Sequence, residues 1–238
     1  MTTLTRIIVT SIISLLLLSC NLIEGVDGNG HVINVERDIS SDFNEIKVSQ
    51  GLDLYITQSD NVSLSIEADE NLQDIIMTEV ENSVLRIYAT ENIRRANSKK
   101  IMLNVETISA IKATSGSDVY SKNTIKVTDL ELNSTSGADV KLDVKTKSLN
   151  CHATSGSDIK LSGSTNALIA EATSGSDINA SELEAETSNV RATSGADISV
   201  NTSKSLIAKA TSGGDIRYSG NPENLEKSDT SAGSVRKQ

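Results

Sequence analysis

One short phrase, Thr-Ser-Gly-small-Asp followed by Val or Ile, occurs six times and constrains this chain more than any other feature. Its copies begin at Thr114, Thr135, Thr154, Thr173, Thr193 and Thr211. Their glycines (Gly116, Gly137, Gly156, Gly175, Gly195, Gly213) lie 21, 19, 19, 20 and 18 residues apart. A degraded seventh copy, Ser231-Ala232-Gly233-Ser234-Val235, follows after a further 20. A fixed period near 20 makes each repeat one structural unit, able to bury its apolar face only against its neighbours.

Within each unit the pattern alternates with period two, which is the signature of strands. Before the phrase, small or apolar residues take every second position: Leu149, Cys151, Ala153; Leu168, Ala170, Ala172; Leu206, Ala208, Ala210. After it, Val119, Val140, Ile159, Ile178, Ile198 and Ile216 take the matching position, with Leu142, Leu161 and Val200 two residues on. Two short strands joined at a glycine corner, stacked unit upon unit, give an all-β parallel solenoid, or β-helix. Its inner ladders of like residues explain how a chain with 2% aromatic content builds a core. Glycine suits a corner that needs positive φ, and Ser and Asp beside it can bond local backbone. Seven coils about 4.8 Å apart predict a rod on the order of 30 Å long.

The repetitive portion spans 109–238. From 35 to 108 the spelling changes but the strand rhythm persists, with candidate strands at Glu45–Ser49, Leu52–Thr57, Val62–Glu67, Ile75–Val80, Val84–Ala89 and Ile101–Val105. This less regular β portion is expected to cap the open end of the solenoid, where an unpaired coil invites edge association.

Residues 1–19 read as a leader. Arg6 supplies a short basic region, Ile7 to Leu18 is almost unbroken apolar sequence, and Leu17-Leu18-Ser19-Cys20 closes it. The run is short for a bilayer span and has the charge-then-apolar order of a secretory signal. Ending on Leu-x-x-Cys, it resembles a bacterial lipobox. That resemblance implies cleavage before Cys20 and acylation of that cysteine, anchoring the mature chain to a membrane through several acyl chains. Asn21 is not an inner-membrane retention aspartate, so the outer membrane is favoured by resemblance. Residues 20–34, glycine-rich at 25–30, are expected to be a flexible tether. With Cys20 acylated, Cys151 has no disulfide partner.

Composition excludes one class of partner. The net charge is −10 and the aromatics number five, one Phe and four Tyr. Nucleic acid demands a basic stripe and stacking platforms. None is expected here.

The aspartates Asp118, Asp139, Asp158, Asp177, Asp197 and Asp215 recur once per coil and should stack one strand apart. Such a column could be a calcium ladder, because calcium favours several hard oxygen ligands. Calcium β-rolls, however, repeat Gly-Gly-x-Gly-x-Asp every nine residues. One Asp per 20 is a sparse ligand supply, and turn capping is the simpler account. Glycan hydrolysis needs two carboxylates about 5–9 Å apart at one special place. Asp53, Asp69 and Glu70 stand outside the repeat, but no aromatic platform accompanies them in sequence, so no catalytic residue is assigned. The threonines beginning each phrase form a β-propensity ladder, expected to be extended inward by Ser115 and its equivalents. His31, His152 and Cys151 do not make a zinc set. No metal or cofactor is expected.

Several stretches together resemble one bacterial family. They are Phe43-x-x-Ile46-x-Val48-x-x-Gly51-Leu52-Asp53-Leu54-Tyr55-Ile56-Thr57-Gln58, Ile66-Glu67-Ala68-Asp69-Glu70-Asn71-Leu72, Leu85-Arg86-Ile87, the Ser-Gly-Ser-Asp copies, and Gly214-Asp215-Ile216-Arg217-Tyr218-Ser219-Gly220-Asn221-Pro222. The family is that of the head GIN domain, known as "putative auto-transporter adhesins". Gly51-Leu52-Asp53 stands where Gly-Ile-Asn or a similar tripeptide is usual. The resemblance implies a right-handed β-helix in a secreted or lipid-anchored protein, and it transfers no catalytic residue. The expected function is a non-enzymatic, lipid-anchored envelope module that binds an extracellular glycan or protein. The alternative is a structural envelope protein that associates with itself through the solenoid ends. A calcium-binding solenoid and a polysaccharide-active enzyme stand behind both.

Overall fold

The protein's computed structural model describes residues 24–230 and 232–238. Cys20 and its leader lie outside them. Strands on either side of the glycine corner stack into two long parallel ladders. The ladder before the corner runs Val84–Ala89, Glu45–Val48, Ala110–Thr114 and Asp129–Thr135, then 148–154, 167–173, 187–193, 205–211 and Asn224–Thr230. The ladder after the corner runs Lys99–Val105, Asp53–Gln58 and Asp118–Ser121, then through the starts of the long strands Asp139–Thr154, Asp158–Thr173, Asp177–Thr193 and Asp197–Thr211, to Asp215–Ser219 and Ser234–Lys237. The expected β-solenoid is the fold, seven turns from the corner at Ser115 to that at Ala232, with a less regular N-terminal part.

Chain order and spatial order differ at the N-terminal end. The turn formed by residues 45–58 lies between the one formed by 84–105 and the one formed by 110–121. Beyond the outermost turn the pairing becomes antiparallel, Ser63–Asp69 joining both Val32–Arg37 and Lys99–Val105, and Ile76–Glu81 folding back on Val84–Ala89. A hairpin-type cap of this kind closes the sheet edges that a bare parallel turn would leave open.

The core consists of columns. One reads Leu85, Ile46, Ile111, Leu132, Cys151, Ala170, Val190, Ala208, all buried. Across the corner another reads Ile101, Leu54, Val119, Val140, Ile159, Ile178, Ile198, Ile216, Val235. Parallel in-register stacking puts each methyl group against its like, so small and β-branched side chains reach close packing without rings.

Each Thr-Ser-Gly corner places two successive residues at positive φ, Ser155 at 58° and Gly156 at 68° for example, as in a type I′ turn, and in the degraded copy Ala232 (64°), not Gly233, takes the glycine's place. The glycine N–H then donates to the serine carbonyl of the next turn, as Gly156 does to Ser174 at 3.3 Å, so the ladder continues around the corner. Ser115, Ser136, Ser155, Ser174, Ser194 and Ser212 are exposed, which corrects their expected inward placement. The left-handed backbone turns their side chains out. The inward serine is the next but one, Ser117, Ser157 or Ser176, fully buried and bonded to backbone, Ser157 donating to the Ser134 carbonyl at 2.8 Å.

The tether expected over 20–34 is also corrected, from Glu24 onward. Val26–Asp27 pairs with Ile93–Arg95, and Val32–Arg37 is a six-residue strand. Asp69, 1% exposed, holds this segment down by accepting from the N–H groups of Gly30 (2.9 Å), Asn97 (3.0 Å) and Ser98 (3.1 Å). Gly28 packs so closely that a Cβ there would sit 2.0 Å from the Asp69 carboxylate. A buried carboxylate supplied with three donors is a structural clamp. Its backbone partners are scattered in sequence, which is why the glycines at 25–30 read as a leash.

Candidate functional site

The outward side of the ladder after the corner carries two parallel columns. The first is the aspartate column, and the register makes it longer than the repeat: Asp53, Asp118, Asp139, Asp158, Asp177, Asp197 and Asp215, ending on Ser234. Asp53 belongs to it because Gln50 (φ 61°) and Gly51 (φ 70°) form the same corner as Ser115-Gly116. Gly51-Leu52-Asp53 is therefore a further copy of the repeat in different spelling. Only the shared glycine and aspartate, at the same offset, hinted at it.

Stacked carboxylates oppose one another's ionisation. Burial first, and then the adjacent Asp118 and Asp158, push the Asp139 carboxyl above its ordinary range. Burial, with Asp197 and Asp158, does the same to Asp177. Burial leads again at Asp53, where Lys99 opposes the rise and Asp118 adds to it. Relief comes locally: Arg217 lies 3.7 Å from Asp197, and Ser234 bonds to Asp215. Among the described residues no three His, Cys, Asp or Glu side chains are grouped to hold a metal ion. The column carries one aspartate per rung.

The second column lies two residues further along each strand. It reads Met102, Tyr55, Tyr120, Lys141, Lys160, Asn179, Ser199, Arg217, Arg236. Tyr55 and Tyr120, on adjacent rungs, stack with ring centroids 5.1 Å apart and planes 22° from parallel. The Lys122 ammonium lies 4.3 Å from the Tyr55 centroid, a cation–π contact. The Tyr120 hydroxyl donates to Asp118 at 3.3 Å. Burial, together with Asp118, pushes its phenol up to about 12.

Beside the rings a groove of about 290 Å³ opens, with Lys141, Lys160, Asp143, Ser162 and Glu182 on its walls. Lys160 pairs with Glu182 at 3.4 Å. Lys122 and Lys141 have no carboxylate within 4 Å among the described residues. A second groove on the neighbouring face is lined by Lys47, Arg86, Lys112 and Tyr88, but its cations are spent internally. Glu45 pairs with both lysines, at 3.7 and 2.6 Å, and Arg86 lies 3.9 Å from Glu81. The tyrosine groove is thus the place where aromatic surface and unpaired positive charge coincide. It supplies an aromatic pair near Asp53, of which the linear sequence shows only Tyr55. Tyr55 and Tyr120 meet only because the chain doubles back.

Other residues singled out in sequence are not brought together. Asp69 serves the clamp, and His31 reaches Glu70 at 3.2 Å on the surface. His152 faces Glu171 at 3.6 Å, while Cys151 is wholly buried, its thiol pushed well above its ordinary range by burial. Cys20 lies outside the described residues.

Solved structures share this architecture. A protein from Bacteroides fragilis described as a "putative adhesin" superposes with a TM-score of 0.83 at 22% identity, covering 90% of this chain and all of the other. A "putative lipid binding protein" from Parabacteroides distasonis gives 0.74 at 26%, again over 90% of this chain and all of the other. A "putative adhesin" from Parabacteroides merdae gives 0.73 at 21%, over 90% and 98%. No curated protein matches. Residues 42–222 match the family described as "Putative auto-transporter adhesin, head GIN domain", and the corner glycines, the stacked turns and the antiparallel cap all fall within or beside that span. The chain belongs to the head GIN domain family.

Proposed function

We propose that this protein is a non-enzymatic recognition module of the bacterial envelope, anchored through an acylated Cys20 to the outer membrane and displayed toward the exterior. The observation that carries it is the division of labour across each strand. Inward columns repeat almost unchanged, whereas the outward column on one face passes from tyrosines to lysines to neutral residues and back to arginines. A solenoid of this type offers an extended lateral surface for binding. Membership of an adhesin family agrees with that use.

Two other readings are less well supported. The Parabacteroides distasonis protein described as lipid-binding would suggest a lipid ligand, but here the inward columns are filled by their own side chains. End-to-end self-association meets a charge barrier. On the last rung Lys227 and Asp229 register with Ala208 and Ala210, so charges occupy the positions that carry the core. Inward charges at a terminal strand are a known guard against edge pairing.

The test is binding of the full chain, in detergent, to arrayed glycans and extracellular-matrix proteins. Saturable binding to one class is expected; a blank array with folded protein would overturn recognition in favour of a structural role. For the anchor, Cys20→Ser should move the protein from the membrane fraction to the soluble one.

A further inference from the structure

We propose that the Tyr55–Tyr120 groove binds an acidic sugar residue, with a ring face of the tyrosine pair against the sugar and the Lys141 ammonium holding its carboxylate. The inference rests on the recognition function above and names its site and ligand chemistry.

Three observations converge. First, Tyr120 has Tyr55 on one rung beside it and Lys141 on the other, and all three side chains line the groove. An electron-rich aromatic face attracts the weakly positive axial C–H groups of a pyranose ring, as it attracts the edge of another arene. A peptide or lipid tail would also find apolar surface there, but needs fewer hydrogen-bonding walls.

Second, those walls are mixed. Asp143 and Glu182 can accept from sugar hydroxyls, as can Ser162, whose own proton goes to Asp143 at 2.9 Å, and the Lys160 ammonium can donate. Alternating donors and acceptors around one ring face match a polyol. A purely anionic partner such as a phosphate would be repelled by the two carboxylates.

Third, Lys141 is one strand spacing from Tyr120 and has no carboxylate within 4 Å among the described residues, on a protein whose net charge is −10. Lysine as a mobile point charge suits a sugar carboxylate whose orientation varies with the linkage. Lys122 over Tyr55 helps to position the ring beneath it. Acidity in the ligand is therefore required by the unpaired ammonium and limited to one group by the acids around it.

The experiment uses the full chain in detergent with three acidic probes, oligogalacturonate, a hyaluronan oligosaccharide and sialyllactose. Methyl-esterified oligogalacturonate, lactose and polyglutamate serve as controls. Saturable binding to at least one acidic sugar is expected, with roughly tenfold weaker binding of its neutral counterpart and of polyglutamate. Tyr120→Ala and Lys141→Gln should each weaken it by about tenfold, while Lys209→Gln, outside the groove, leaves it unchanged. Circular dichroism confirms that each variant is folded. Equal binding of the ester, equal binding of polyglutamate, or unaltered binding by Tyr120→Ala would overturn the assignment, as would no binding to any acidic sugar. If the wider array yields a ligand that both variants still bind, the groove assignment fails and the recognition function stands. If the array is blank, both fail.

Discussion

Tyr55 and Tyr120 are sixty-five residues apart in the chain, yet their rings stack at 5.1 Å. They meet because the turn containing Tyr55 lies between two turns that both follow it in the chain, one paired on its outer side and the next on its inner side. The same docking puts Asp53 beside Asp118 and extends the aspartate column to the cap.

Tyr120 should titrate late. Its phenol stands near 12 in the folded protein, against an ordinary value near 10. The fold thus favours the neutral phenol, and that stabilisation is fully present below about pH 10. It is lost as pH rises through 12. Spectrophotometric titration at phenolate wavelengths should show one tyrosine ionising late, and Tyr120→Phe should remove that phase.

The aspartate column should cost stability at neutral pH. Asp53, Asp139 and Asp177 have raised carboxyls, so the folded state binds protons more readily than the unfolded one. The penalty is present above the folded pKa and is relieved as pH falls toward the ordinary carboxylate range. Asp139→Asn, which removes one like-charge contact on each side, should raise the melting temperature at pH 7 and shrink its dependence on salt. A lower melting temperature would contradict the repulsion.

Two glycines should respond differently to alanine. At Gly156 (φ 68°) a Cβ meets nothing within 4 Å, so Gly156→Ala costs only the left-handed backbone, about 1–2 kcal/mol. At Gly163 (φ 102°) the Cβ would lie 2.1 Å from the Val144 carbonyl oxygen, a backbone atom of the adjacent turn. Gly163→Ala should cost about 3 kcal/mol or more in denaturant unfolding. Equal costs would show that the corners are limited by packing as well as by φ.

Asp69→Ala should release the first strands. Three backbone N–H groups lose a charged acceptor inside the fold, a loss of about 3–5 kcal/mol. Limited proteolysis should then cut within residues 24–37 before the rest of the chain.

Removing the charges on the last rung should create an association surface. Lys227→Val with Asp229→Ala would continue the columns of Ala208 and Ala210 onto this rung. Sedimentation should show larger species from the double variant than from the parent at the same concentration. An unchanged distribution would mean that the end is guarded by something other than charge.

Much of the repetitive half was legible because its information is local. Period-two alternation assigned the inward residues Leu149, Cys151, Ala153 and Ile159, all buried, and the spacing of the glycines assigned the six Thr-Ser-Gly corners but not the degraded copy, where Ala232 and not Gly233 turns the chain. Positions that depend on backbone hand were not legible. Ser155 points outward because its φ is 58°, and a residue string carries no sign of φ for serine. The tether misled for a related reason, since the carboxylate that holds Gly30 comes from Asp69, thirty-nine residues away.

The sequence by itself determined the repeating unit, its strands and its corners, because neighbouring residues on one strand decide which side chains face in and where the chain can bend. Only the tertiary structure decided which turns are neighbours. The order of turns along the rod is set by which edges pair and which are capped. From that order come the stacked tyrosines, the unpaired lysine beside them, and the groove that the two create together.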